Sequence, residues 1–108
     1  MRLPQYLIKP NPPLLKNRLK FFPISRFIVS DRSMEPTFYE GDHILTFNWG
    51  EVKTGDVIVF KKVDKNYIKR IRKTDSKTFI VSGDNIKLSR SLIIVEKSEV
   101  IGRILMKY

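Results

Sequence analysis

"DVIVFKKVDKNYIKRIRK", residues 56–73, decides the fold class of this 108-residue chain. Two runs rich in Val, Ile, Phe and Tyr, residues 57–62 and 66–73, flank the turn sequence "VDKN". β-branched and aromatic residues with a period of two are typical of strands, whereas Asp and Asn favour tight turns. The stretch therefore predicts two β-strands joined by a short turn.

The same pattern continues on both sides of this stretch. We predict further strands at residues 24–30, 43–47, 78–82 and 100–106. The sequence after Ser33 predicts one short helical turn, over residues 34–40. The chain is therefore predicted to be mainly β, with a single small domain over residues 24–108 and a basic, proline-interrupted segment over residues 1–23.

Composition limits the function classes that this chain can belong to. It is 42% hydrophobic and 30% charged and contains no cysteine, which excludes disulfides, thiolate metal sites and a cysteine nucleophile. Its apolar runs are far shorter than the roughly 20 residues of a membrane-spanning helix, and prolines interrupt the N-terminal stretch where a signal peptide would lie. We therefore expect a protein that is cytoplasmic or peripherally associated with a membrane.

The formal net charge is +10, and much of it lies near the N-terminus. Residues 1–30 contain six Lys or Arg residues and no acidic residue, mixed with Leu and Phe. Such a segment could contact an anionic membrane surface, or it could be a solvated tail that packs a few apolar residues on the domain. No zinc pattern or RNA-binding signature accompanies the charge, so we expect no metal or other cofactor and no nucleic-acid partner.

Lys69 is an unusual residue for its position in the predicted strand. Alternation places Lys69 on the same face as Tyr67 and Ile71, between two large and largely apolar side chains. Loss of hydration would lower its pKa from about 10.4, and a value of about 7.5 would require about 4 kcal/mol. The alternative is an edge-strand lysine whose ammonium group extends to solvent.

Six short segments occur in an order that resembles a known family. They are "SMEPT" at 33–37, "EGDHIL" at 40–45, "TGDVIVF" at 54–60, "YIKRI" at 67–71, "SGDN" at 82–85 and "EVIGRI" at 99–104. Together they resemble the signal-peptidase-like serine proteases, the S26 family and its S24 relatives, which use a Ser-Lys dyad. The resemblance implies a signal-peptidase/SOS-repressor-type catalytic β-domain of antiparallel strands. Its small soluble members include proteases that mature nickel-type superoxide dismutase.

The resemblance also implies roles for individual residues. Ser33 matches the nucleophile and Lys69, 36 positions later, matches the general base. The Ser33 backbone N–H would donate to the oxyanion, and Ser89 would orient the lysine. The residues that would brace the site are Met34, Pro36, Gly83, Asp84 and Asn85.

Two departures from the family pattern concern the surroundings of Ser33. The family commonly has serine or glycine two residues before the nucleophile, but this chain has Asp31. A carboxylate facing an oxyanion would oppose catalysis, so we expect Asp31 to point away and cap the following turn. The Asp-Ser-Arg run that often follows "SGDN" is also missing, so we expect the salt bridge of that run to be absent.

Three functions are compatible with the residues and the resemblance. The first is a serine endopeptidase that removes a leader or pro-segment from an extended protein substrate through an acyl-enzyme. The second is a self-cleaving S24-type domain, but the chain contains no alanine or cysteine, which excludes cleavage at an Ala-Gly or Cys-Gly bond within these 108 residues. The third is a non-catalytic basic β-domain that binds nucleic acid or anionic membrane.

Overall fold

The computed structural model describes residues 23–88 and 91–108. This part of the chain forms seven strands: β1 Ile24–Ile28, β2 His43–Phe47, β3 Val57–Lys62, β4 Lys65–Thr74, β5 Thr78–Ser82, β6 Ile93–Glu96 and β7 Val100–Lys107. A 3₁₀ helix spans Lys97–Glu99, and no helix of the described residues is long and apolar enough to cross a membrane. The prediction of a mainly β domain is confirmed.

All seven strands belong to one antiparallel sheet. Their order is β1-β2-β7-β3-β4-β5-β6, so the last strand in sequence lies between β2 and β3. The two strands predicted from residues 56–73 pair directly, from Val57 opposite Arg70 to Lys62 opposite Lys65. β4 also pairs with β5, which makes β4 an interior strand.

Two local predictions differ from the structure. Strand β6 was not predicted, although it pairs with β5 at the edge of the sheet. The helical turn predicted over residues 34–40 is reduced to a set of turns with a single i to i+4 bond, from the Phe38 N–H to the Met34 carbonyl at 2.9 Å. Competing local hydrogen bonds explain this, because the Tyr39 N–H donates to the Asp42 side chain at 2.8 Å and cannot extend a helix.

Hydrophobic side chains cover both faces of β3. Val57 and Val59 belong to one buried cluster, and Ile58 and Phe60 belong to a second. Because successive side chains of a strand point to opposite faces, the two clusters lie on opposite sides of the sheet. The first cluster also contains Met34. The connection between β1 and β2, which carries Ser33, therefore packs against the sheet.

Candidate active site

Ser33 lies in the β1–β2 connection, and its backbone is held by the turn that contains Asn85. The Asn85 N–H donates to the Ser33 carbonyl at 2.9 Å, and the Asn85 side-chain amide donates to the Arg32 carbonyl at 3.0 Å. The next residue, Met34, is fully buried in the first cluster. Ser33 is consequently buried, with 7% of its surface exposed.

Lys69 lies in the middle of β4, opposite Ile58 of β3, and is only 5% exposed. Its same-face neighbours Tyr67 and Ile71 pack in and against the second cluster. Burial lowers the pKa of the Lys69 ammonium below its ordinary value, while the negative charge of Asp31 acts in the opposite direction. The alternative of an edge-strand lysine reaching solvent is wrong, because β4 is an interior strand.

Asp31 links Ser33 to Lys69. Its Oδ1 accepts a hydrogen bond from the Ser33 N–H at 3.0 Å, and its charge acts on Lys69. Burial acts to raise the pKa of Asp31, and the hydrogen bond from the Ser33 N–H acts to lower it. Asp31 thus caps the turn, as predicted, but the prediction that it points away is wrong, because it accepts the N–H that we predicted as the oxyanion donor. The physical reason is that a carboxylate readily accepts a hydrogen bond from the backbone N–H two residues later.

The Ser33 hydroxyl is the least satisfied polar group of this site. Its oxygen is buried and accepts or donates no hydrogen bond among the described residues. It is therefore not bonded to the Lys69 amine in this arrangement. A buried unsatisfied hydroxyl costs about 1–3 kcal/mol. Catalytic hydrogen bonds are often long or misaligned before substrate binds, so the missing bond does not exclude a Ser33–Lys69 pair.

Asp84 connects β4 to the Ser33 connection. It accepts two bonds from the Arg70 guanidinium, at 2.9 and 2.7 Å, and one from Arg72 at 3.0 Å. The Thr37 hydroxyl donates to the same carboxylate at 2.6 Å. Burial acts to raise the pKa of Asp84, but the bonds from Arg70 and Thr37 outweigh it and hold the pKa below 3.8.

These contacts provide a salt bridge near the site that does not come from the missing Asp-Ser-Arg run. Its two arginines come from β4 rather than from the residues after "SGDN". Arg72 also donates to the Gly83 carbonyl at 3.1 Å. Asp84 and Gly83 are thus held by the strand that carries Lys69.

Two further predicted site residues are Pro36 and Ser89. Pro36 is exposed and follows a cis peptide bond. Ser89 lies outside the described residues. A cavity of about 450 Å³ lies elsewhere, against Phe47, Val52 and Phe79, and neither Ser33 nor Lys69 lines it.

The fold and the site together define a class: a small antiparallel β-domain with a buried serine and a buried lysine, in which one carboxylate accepts the serine N–H and acts electrostatically on the lysine. A family model described as Peptidase S24-like matches residues 25–105. The chain therefore belongs to the Peptidase S24-like family, a family of serine peptidases that act on proteins or peptides. A search of curated proteins found no match. The predicted S24/S26 relationship is confirmed at this level, and the S26 subtype stays a prediction.

Proposed function

We propose that this protein is a serine endopeptidase that cleaves an N-terminal leader or pro-segment from a protein substrate. In this proposal Ser33 is the nucleophile and Lys69 is the general base. The observation that carries it is the burial of both side chains, with Asp31 bonded to the Ser33 N–H and acting on the charge of Lys69, together with a Ser33 hydroxyl that has no hydrogen-bond partner among the described residues. Such a hydroxyl is available to an incoming base and a substrate carbonyl.

The chemistry requires Lys69 as a neutral amine. The amine takes the proton of the Ser33 hydroxyl while Oγ bonds to the scissile carbonyl carbon, giving a tetrahedral oxyanion. The C–N bond then breaks, and the Lys69 ammonium returns the proton to the departing amine. In the second half, Lys69 takes a proton from water, the resulting hydroxide attacks the ester, and Ser33 is released with its proton restored. Burial favours the neutral amine that both halves need.

The bracing residues have positional roles in this proposal. Met34 removes water from the site, since its side chain is fully buried. Asn85 fixes the backbone of Ser33, and Asp84 with Arg70 joins that connection to β4. Ser89 orients the Lys69 amine, and Pro36 stiffens the turn after Ser33. The substrate binds in an extended conformation.

The order of the six sequence segments supports a signal-peptidase-like subtype within this proposal, and we include among the candidates the kind that matures nickel-type superoxide dismutase. Cleavage of an upstream leader is favoured over self-cleavage because these 108 residues contain no alanine or cysteine.

The test combines covalent labelling with peptide cleavage. A fluorophosphonate probe, followed by mass spectrometry of the intact protein and its peptides, is expected to label Ser33. Leader peptides from secreted and metal-enzyme precursors are expected to be cut. Ser33→Ala and Lys69→Ala should abolish both reactions while the far-ultraviolet circular dichroism remains that of the wild type.

Matched controls are available on the same hairpin. Ser76 lies in the turn after β4, and Lys73 is an exposed lysine of β4 itself. Ser76→Ala and Lys73→Ala should label and cleave at the wild-type rate. Equal rates for Ser33→Ala and Ser76→Ala would contradict the assignment of the nucleophile.

The second candidate is a non-catalytic basic β-domain. The net charge of +10 and the engagement of the Ser33 N–H by Asp31 favour it. In that case the wild type would not be labelled, and it would bind DNA or anionic vesicles with a steep dependence on salt. Binding to anionic vesicles alongside labelling of Ser33 would instead support a peripherally membrane-associated peptidase that uses residues 1–30.

A further inference from the structure

Asp31 has two effects on the site, and both oppose the proposed reaction. Its carboxylate accepts the Ser33 N–H at 3.0 Å, which removes that donor from a developing oxyanion. The same carboxylate is the charge among the described residues that acts on Lys69, and it favours the ammonium form, which cannot accept a proton. Asp31 itself is half-buried, so its charge is only partly screened by water.

Three arginines near this strand and the Ser33 connection form ion pairs with other carboxylates. Arg70 follows Lys69 directly on β4, Arg72 follows Ile71, and both arginines donate to Asp84. On the side of the Ser33 connection, Arg32 pairs with Glu35 at 3.0 Å. The influence of Asp31 on Ser33 and Lys69 is therefore distinct from the Asp84 network.

We propose that Asp31 is an inhibitory positioning residue, which holds the unliganded site inactive until its carboxylate leaves the Ser33 N–H. Productive binding then places the substrate carbonyl oxygen where this N–H can reach it, and the Asp31 side chain turns toward solvent. This inference rests on the proposed Ser-Lys function. It makes wild-type activity low at rest and dependent on a substrate that displaces Asp31.

Three substitutions separate the hydrogen bond from the charge. Asp31→Asn keeps an oxygen that can accept the Ser33 N–H, and so preserves the turn, but it removes the charge. Asp31→Gly removes both the acceptor and the charge. Asp31→Ser removes the charge and adds a hydroxyl that can itself donate to an oxyanion. Asp75→Asn is the matched control, because Asp75 also accepts a nearby backbone N–H, that of Ser76 at 2.7 Å.

The experiment measures the rate of Ser33 phosphonylation by a fluorophosphonate, in which Oγ bonds to phosphorus and fluoride leaves. One oxyanion donor is worth about 10²- to 10³-fold in rate, so Asp31→Gly and Asp31→Ser should label at least about tenfold faster than the wild type. Asp31→Asn should move the rising limb of the pH–rate profile to lower pH, since the charge that favours the Lys69 ammonium is gone. Asp75→Asn should label at the wild-type rate with an unchanged profile.

The outcomes separate this inference from the function on which it rests. If the wild type is labelled at Ser33 but the Asp31 variants, folded by circular dichroism, react no faster and keep its pH profile, Asp31 is not inhibitory and only the inference fails. Slower labelling of the Asp31 variants would make Asp31 a supporting residue and would also overturn it. If no variant and no wild-type sample is labelled, the Ser-Lys function itself fails.

Discussion

Replacing Asp84 by Asn should destabilise the domain far more than an ordinary surface substitution. The carboxylate is only 12% exposed and accepts bonds from Arg70, Arg72 and Thr37. Hydrogen bonds to charged groups contribute about 1.5–3 kcal/mol each. An amide has one acceptor oxygen instead of two, so it loses at least one Arg70 bond and the charge. Because Arg70 is partly exposed, we expect Asp84→Asn to lower the free energy of unfolding by about 2–3 kcal/mol.

Glu99→Gln is the matched control for this prediction. Glu99 also forms a two-oxygen ion pair, with Lys62 at 3.0 and 3.2 Å, but both side chains are more exposed. Glutamine can also replace glutamate in the capping box at Glu96. Exposed ion pairs contribute about 0.2–1 kcal/mol, so Glu99→Gln should lower the free energy of unfolding by less than about 1 kcal/mol.

The assay is urea unfolding at neutral pH, followed by the fluorescence of Trp49, the single tryptophan, and by circular dichroism. The pH dependence gives a second test. Because the folded pKa of Asp84 lies below the unfolded value of 3.8, its contribution is fully present above that value and is lost as pH falls through the folded pKa. The difference in the free energy of unfolding between Asp84→Asn and the wild type should therefore become smaller in acid. Equal losses for Asp84→Asn and Glu99→Gln at neutral pH would refute the reasoning.

Three further predictions concern other parts of the site and core. The rate of Ser33 labelling should rise with pH through one ionisation with a midpoint below 10.5, because burial lowers the pKa of Lys69 and only its neutral amine is a base; a pH–rate profile measures this, and a midpoint at or above 10.5 would contradict it. Met34→Ala should cost about 2–5 kcal/mol in urea unfolding because the side chain is fully buried, and a loss below about 1 kcal/mol would show that it is not packed as described. Gly102→Ala should lower the melting temperature, since a Cβ there would lie 2.7 Å from the Phe47 carbonyl oxygen and against Asn48 Oδ1; an unchanged melting temperature would show that this backbone yields.

Most of the sheet could be predicted from sequence because its strands carry local signals. The runs of β3 and β4 are rich in β-branched and aromatic residues, and turn residues separate them. Strand β6 has no such signal, since "IIVE" is only four residues long and has no alternation along its apolar part. Its extended conformation depends on pairing with β5, which is a tertiary interaction.

The site was predicted less completely than the fold, and the reason is again physical. The sequence motifs indicated Ser33 and Lys69, and the alternation of β4 correctly placed Lys69 with Tyr67 and Ile71. The partners of Asp84 could not be assigned, because Arg70 and Arg72 reach it from the neighbouring strand, past a register irregularity after Ile71. The local sequence around an arginine does not predict which carboxylate will be its ion-pair partner.

Asp31 shows why membership of a peptidase family does not by itself establish catalysis in this chain. The fold supplies the buried serine and lysine, but function depends on the atoms around them. One carboxylate accepts the Ser33 N–H and favours a charged Lys69, and both effects oppose the proposed reaction. A serine or glycine at that position would leave both groups available. In the proposed mechanism, activity therefore depends less on the presence of Ser33 and Lys69 than on whether a substrate can move Asp31.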